Sequence, residues 1–473
     1  MKKTLTLFLL FFSISFGYAQ EIASTLNIPL KSDRDVFQIT DDNSKKVTLI
    51  LSDYKNVNAL LLDEKLQVID SIKTERKELD YKNIIGYAKS ENQVKIIWTN
   101  EYNKKLYALN FDFASKKTEG KIIEMPYDKE RIIQKFHYND KFYIVTVIKN
   151  TNELKFYIFD NTDVITEKKV NLDGFKFYLS DFKKSTLYGV LGENMMPFEP
   201  SFALQHIDVE SPVSLTYASK KRKSYLNNGA FTITLDTNQA YTLLMAIDLN
   251  SFTATEKIFK SNYLPSADYT TPKSNSFLID DKLFCVKNND TQYVFTVKNM
   301  NDEILSESKI FSGHDITFQN PKSCCPMNNS KDFSTQFIKN IDYLNCGVSA
   351  YKINGQYQLA IGGMYKESNN SGTIMMGAMF GIAGALLYSA FNSPTLNNFN
   401  SYENPLVVKI DSKFDVNGKH IEGVTADTAF DKIQKYLSEN KLESPTLFKF
   451  NKDFYLGSYF KKTKEFKFLR FTE

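Results

Sequence analysis

The stretch that decides the fold reads Lys135-Phe-His-Tyr-Asn-Asp-Lys-Phe-Tyr-Ile-Val-Thr-Val147, a polar turn over 149–153, then Leu154-Lys-Phe-Tyr-Ile-Phe-Asp160. Aromatic and β-branched residues crowd both runs, and such residues favour strands. The Asn/Asp/Lys interruptions are turn chemistry, so the runs read as consecutive antiparallel hairpins. The same order stands one unit earlier: Gly86-Tyr-Ala-Lys-Ser-Glu-Asn-Gln-Val-Lys-Ile-Ile-Trp98, a polar turn over 100–105, then Leu106-Tyr-Ala-Leu-Asn-Phe-Asp112. A fourth short strand follows each, near Lys121-Ile122-Ile123 and over 168–171.

Working outward, the end of the third strand can be followed to Asp63, Asp112, Asp160, Asp208, Asp248, Asn299, Asp411 and Thr472, in steps of 49, 48, 48, 40, 51, 112 and 61 residues. Five steps lie near the length of one four-stranded propeller blade, about 40–50 residues, and the two long ones contain insertions. The pattern resembles a β-propeller of exported bacterial type, without the Gly-His and Trp-Asp signature of WD40 blades. That resemblance implies an all-β chain of seven or eight four-stranded blades over 20–473. Three strands at 446–450, 454–460 and 465–471 lack a fourth. A segment at 25–30 would supply it, so that N- and C-terminal strands share one blade and no open edge remains. Blade one then begins near Asp35. The competing architecture is a sandwich or two smaller β domains, against which stands the lack of any Pro/Gly/Ser-rich linker. A connector helix is expected within 425–440, capped by Thr425 or Asp427, with Phe430, Ile433 and Leu437 on one face.

Of the 473 residues, 42% are hydrophobic and 24% charged, which excludes disorder as the overall state. Lys+Arg 59 against Asp+Glu 55 gives +4, and two lysines fall in the first three residues. That balance, with no basic stripe, argues against a nucleic-acid partner. With His at 4 and Trp at 1, material for acid–base or metal chemistry is scarce, and neither cofactor nor metal is expected. Residues 1–19 read as a signal peptide: Lys2-Lys3, an apolar run from Leu5 to Phe16, and Gly17-Tyr18-Ala19 before the cut. An exported chain, periplasmic, outer-membrane associated or extracellular, is therefore expected. Export permits disulfides among Cys285, Cys324, Cys325 and Cys346. One or two structural bridges are expected, free thiols being the alternative.

One insertion, 366–404, breaks the pattern in the seventh blade. Gly372 to Asn392 holds no charge over 21 residues. A single membrane span is excluded, because strands near 356–364 and 406–410 should be neighbours in one blade. Met375, Met376, Met379, Phe380, Leu386, Leu387, Tyr388 and Phe391 form the expected contact surface for an envelope protein or a membrane. A self-covering plug over the propeller face and a mobile segment without a role are the alternatives. The flanks, including 392–403, read as polar and flexible. By loop order the insertion shares a face with the Cys324-Cys325 stretch.

Nucleophile-elbow, zincin, phosphate-loop and calcium-loop motifs are missing. Asp160-Asn161-Thr162-Asp163 and Asp41-Asp42-Asn43 read as capped turns. His137, His206, His314 and His420 each read as hydrogen-bonded structural residues. Asp70-Ser71-Ile72 and Asp427-Thr428-Ala429 resemble a short O-glycosylation acceptor motif. The chain is therefore expected to be a non-enzymatic binding or scaffold propeller of the envelope. A hydrolase or lyase of glycans or peptides at the channel mouth, and a periplasmic small-ligand sensor, are the alternatives.

Overall fold

The computed structural model describes residues 21–473 except 32–34, 79, 101–103, 196–198, 262–263, 265–272, 323–330, 366–393, 403–406 and 441. Among these residues seven sheets follow one another in chain order. Sheets one (35–75), two (83–124), three (130–171) and five (273–311) each take four consecutive antiparallel strands. Sheet four (205–260) has five strands and sheet six (341–414) three. Sheet seven joins Glu443–Phe450, Asp453–Phe460 and Glu465–Phe471 to the N-terminal strand Glu21–Asn27, with Thr25 opposite Lys467 and Asn27 opposite Glu465. The strand that closes this sheet thus begins a few residues before the expected 25–30.

Sequence dictates which strands are central. Lys46–Ser52, Gln93–Thr99 and Lys141–Ile148 are near-unbroken apolar runs and are buried along almost their whole length. A strand with one wet face alternates, whereas a run means both faces are covered. Fourth strands such as Lys117–Glu124 and Thr166–Asn171 are exposed and carry lysines, which discourage pairing with another chain. Hairpin turns use residues that accept positive φ: Asn139-Asp140 at 47° and 62° between the first two strands of sheet three, and Asn228-Gly229 at 48° and 79° between Arg222–Asn227 and Ala230–Leu235 of sheet four.

Neighbouring sheets interlock. Apolar side chains of seven and one, one and two, two and three, three and four, and four through six merge into shared clusters. Phe136 of sheet three stacks on Phe231 of sheet four at 4.8 Å. Hydrogen bonds also join each successive pair. Lys89 binds Asp41, the Tyr87 N–H donates to His137, Gln134 to Ser224, and the Leu278 N–H to the Tyr225 hydroxyl. Tyr357 then donates to Asp280, Tyr351 to Glu473, and Thr446 to Gln38, which returns from sheet seven to sheet one.

Among the described residues there are seven sheets against eight marks. The recurring Asp has a local cause: its carboxylate caps the turn between third and fourth strands. Asp112 accepts from the Ala114 and Ser115 N–H groups, Asp248 from those of Asn250 and Ser251, and Asn299 from those of Asn301 and Glu303. Asp208 imitates them by accepting from the Glu210 N–H, but it follows only the three-residue strand Gln205–Ile207, which runs parallel to Arg222–Asn227 inside sheet four. In sheet six the capping residue is Asp415, which accepts from Asn417 and Lys419, rather than Asp411 inside the strand Val407–Phe414. The expected neighbours do pair, with Ile361 opposite Ile410, and the insertion consequently leaves sheet six.

The connector helix is Ala429–Glu439. Its cap is Thr428, not Thr425 or Asp427, and Thr428 and Asp431 form a reciprocal capping box. Phe430 and Ile433 are buried, with Leu437 packed beside them. The far flank of the insertion, expected to be flexible, is instead the helix Pro394–Tyr402, with Thr395, Leu396, Asn398 and Phe399 buried. Leu396 and Phe399 supply the apolar face that the polar neighbours concealed.

Candidate functional site: a cavity between the first strands

The first strands of sheets one, two, three and seven, the strand Gln205–Ile207 and the helix Pro394–Tyr402 line a cavity of about 750 Å³. Much of the lining comes from the later parts of these strands: Thr40, Tyr87, Lys135, Phe136, His137, Leu226, Phe448 and Lys449. The cavity therefore lies toward the ends of these strands at which first strands turn into second strands. The insertion leaves sheet six between its second and third strands. The helix is fixed against the chain that returns from sheet four. Asn398 donates to the Asp208 carbonyl and the Ser211 hydroxyl at 2.9 Å, and Ser214 to Ser401 at 2.8 Å.

Chain geometry brings together polar groups far apart in sequence. Gln134 donates to the Leu204 carbonyl at 2.9 Å and to the Ser224 hydroxyl at 3.0 Å, which places Lys135 and His137 beside the 204–206 segment. The Tyr87 N–H donates to His137 Nε2 at 2.9 Å, and the two rings stack with centroids 4.0 Å apart. His137 is thus a neutral acceptor with its proton on Nδ1. Burial, with His206 nearby, pushes its pKa down to about 3, and burial takes His206 down to about 4. Both rings keep partial exposure toward the cavity while protein surrounds them. His206 Nδ1 is buried without a protein partner. A bare lone pair is cheaper to bury unpaired than an N–H, so the proton of His206 belongs on Nε2.

Burial also lowers the Lys135 ammonium to about 8. Asp208 moves the other way: burial raises it, although the Glu210 N–H and the Ser211 hydroxyl both donate to it. The rest of the wall mixes apolar side chains such as Phe37, Ile85, Phe136, Phe202, Leu226 and Phe448 with polar ones such as Gln38, Thr40, Gln205 and Asn397. A site of this kind encloses the body of a small organic molecule and orients it through a few donors.

A second cavity of about 520 Å³ lies between sheet six and the helices, lined among others by Tyr351, Gln358, Lys322, Tyr402 and Asp431. The helix Pro394–Tyr402 touches both cavities, the first with Pro394 to Asn398 and the second with Tyr402. The most deeply buried ion pair, Lys223–Asp236 at 2.8 Å, is structural. Lys223 also donates to Asn275, and Asp236 also accepts from Thr242 and Ser276.

The eight contact residues expected in the insertion, Met375 through Phe391, lie outside the described residues, as do Cys324, Cys325 and residues 1–19. Cys285 and Cys346 are free thiols, and burial pushes the Cys285 thiol up to about 12. No bridge joins these two, on strands of sheets five and six. Among the described residues no helix is long and apolar enough to cross a membrane, and no cluster of three or more His, Cys, Asp or Glu suits a metal. His420 binds Asn320 and His314 binds the Ser312 carbonyl, so these two are structural. The Asp160 turn is capped as read, with Asp160 accepting from the Thr162 N–H, while the Lys95 ammonium donates to the Asp160 and Thr162 carbonyls at 3.1 and 2.6 Å. Lys95 thereby ties that loop to sheet two. Sequence reasoning missed the meeting of Lys135, His137 and His206, for which no local spacing is a signal.

No protein-family model and no curated protein sequence matches this chain. Among solved structures it is similar to a chimera built on an apocarotenoid oxygenase (9% identity, 59% of this chain and 62% of that one, TM-score 0.30). It is similar also to the cobalt-substituted apocarotenoid oxygenase of Synechocystis (8% identity, 59% and 62%, TM-score 0.27). A prolyl endopeptidase matches over 94% of this chain and 49% of its own (8% identity, TM-score 0.34). The chain thus spans less than two thirds of each of these proteins. At such values nothing about activity passes from them to this chain.

Proposed function

We propose that this chain is a binding protein of the cell envelope: an exported, non-enzymatic propeller whose seven sheets close into a ring around a ligand cavity. The observation that carries the reading is the cavity of about 750 Å³, walled by apolar and polar side chains in similar measure. Ring closure is supported by the pairing of the N-terminal with the C-terminal strand and by the inter-sheet hydrogen bonds that return from sheet seven to sheet one. Export is supported by the basic-then-apolar character of residues 1–19. The uncharged segment 372–392 is the partner or membrane contact in this reading.

A second reading, a sensor of a small ligand, is favoured by the helix Pro394–Tyr402. It lines both cavities and follows directly on that segment in the chain, so an occupant could bias the position of the segment. The test is deletion of 372–392 from the full chain. Co-purification with solubilised envelope components should be lost while the melting temperature stays near that of the parent. Unchanged co-purification would overturn the contact assignment.

A further inference from the structure

We infer that a cleft between sheets two and three binds one neutral sugar ring, a pyranose whose vicinal hydroxyls meet Asn110, Glu119, Lys121, Asn161 and Asp163. The cleft is separate from both cavities above and measures about 250 Å³. That is below the about 300–1,000 Å³ that enclose drug-sized ligands, so it suits a single ring. Its floor is one face of sheet two. Lys95 stands opposite Asn110 and Asn110 opposite Glu119, with the pair Ala108 and Lys121 two residues along, so these side chains share that face. Its roof is the turn 159–165 of sheet three, which Lys95 ties down through the Asp160 and Thr162 carbonyls.

The polar side chains on this wall divide into two groups. Some are engaged within the protein: Gln93 donates to Asp112, the Asp160 carboxylate accepts from the Thr162 N–H and hydroxyl, and Lys95 holds its two carbonyls. The other five make no hydrogen bond among the described residues. Asn110 Oδ1 and both amide atoms of Asn161 are buried without a partner. Asp163 stands 3.9 Å from the Lys95 ammonium and 3.7 Å from that of Lys121, too far for a hydrogen bond to either. The exposed Glu119 completes the set. Buried polar atoms are nearly always paired, and leaving one unpaired costs stability. Three such atoms at one cleft point to a partner that is not the protein.

A sugar fits this set by hydrogen-bonding pattern and by charge. A side-chain amide offers a carbonyl and an NH₂ side by side, and a hydroxyl both donates and accepts, so vicinal hydroxyls satisfy Asn110 and Asn161 together. Glu119 and Asp163 accept further hydroxyl protons and Lys121 donates, in charge-assisted bonds. The ammoniums of Lys95 and Lys121 lie among the carboxylates of Glu119, Asp160 and Asp163. An anion therefore meets carboxylates and a cation meets ammoniums, whereas a neutral ligand meets no like charge. Ala108, Ile123, Phe159 and Ile165 supply apolar surface for the C–H face of the ring.

The test is a saturation-transfer NMR titration of the full-length protein with methyl β-glucopyranoside, methyl β-galactopyranoside and methyl α-mannopyranoside, beside glucuronate, glucosamine and oxane-2-methanol. At least one methyl hexoside should bind in the millimolar range. Glucuronate and glucosamine should bind at least about fivefold more weakly, and oxane-2-methanol, a ring with a single hydroxyl, at least about tenfold more weakly. Asn161→Ala and Glu119→Ala should each weaken the bound hexoside about tenfold. No binding of any methyl hexoside below about 50 mM overturns the inference and leaves the cleft to solvent. A charged analogue or oxane-2-methanol that binds as tightly as the hexosides also overturns it, as does unchanged binding in either variant. Glu119 is exposed on an outer strand, so Glu119→Ala decides by itself if Asn161→Ala does not melt cooperatively.

Discussion

His137 holds two first strands together and does so only while neutral. Its Nε2 takes the Tyr87 N–H across the boundary between sheets two and three. In the unfolded chain an imidazole titrates near 6.5. In the fold, burial holds His137 near 3 and His206 near 4. As pH falls below 6.5 the unfolded state therefore binds protons that the folded state refuses. The stability present above 6.5 is withdrawn between 6.5 and about 4, on the order of 2 kcal/mol per ring by pH 4.5. Urea unfolding at pH 7 and pH 4.5 should show that loss, and the double variant His137→Gln, His206→Gln should show much less of it. An equal pH response in parent and variant would contradict the assignment. At this scale the sequence was legible where chemistry is local. The turn-capping carboxylates at Asp63, Asp112, Asp160 and Asp248 follow from their own next few residues. Asp208 misled for the same reason, because it caps its turn in the same way without a third strand before it.

At the scale of elements, periodicity found the helix Ala429–Glu439 and missed its cap. Thr428 accepts from the Asp431 N–H, and the Asp431 carboxylate returns the contact to the Thr428 N–H. Thr428→Ala should cost about 1 kcal/mol in urea unfolding, and no loss would show that the packing of Phe430 and Ile433 alone fixes the helix. The cap also bears on the acceptor triplets. Thr428 is 5% exposed and its hydroxyl bonds Asp431, whereas Ser71 sits exposed on an outer strand. The helix Pro394–Tyr402 was not legible. Pro-Thr-Leu-Asn-Asn-Phe-Asn reads as a polar, flexible flank, and only tertiary burial of Leu396 and Phe399 against Phe430 and its neighbours selects a helix.

For the whole molecule, the repeat of buried central strands and charged outer strands was readable because every sheet solves the same problem, two covered faces and one protected edge. The site was not readable. Lys135 and His206 are 71 residues apart, and the chain meets itself there only because Gln205–Ile207 leaves the regular order and lies parallel inside sheet four. That departure also removes one sheet from the eight the marks suggested.

The central claim, a ring sealed by its own termini, is tested most directly by joining Thr25 to Lys467. The two are cross-strand partners on the more exposed side of sheet seven, and such partners have Cα atoms about 4.5–5.5 Å apart, within reach of a disulfide. The double variant Thr25→Cys, Lys467→Cys should oxidise to an intramolecular bridge, visible as faster migration of the non-reduced monomer, and should melt at a higher temperature than its reduced form. No bridge, or a bridge formed only between two copies, would contradict the closed ring.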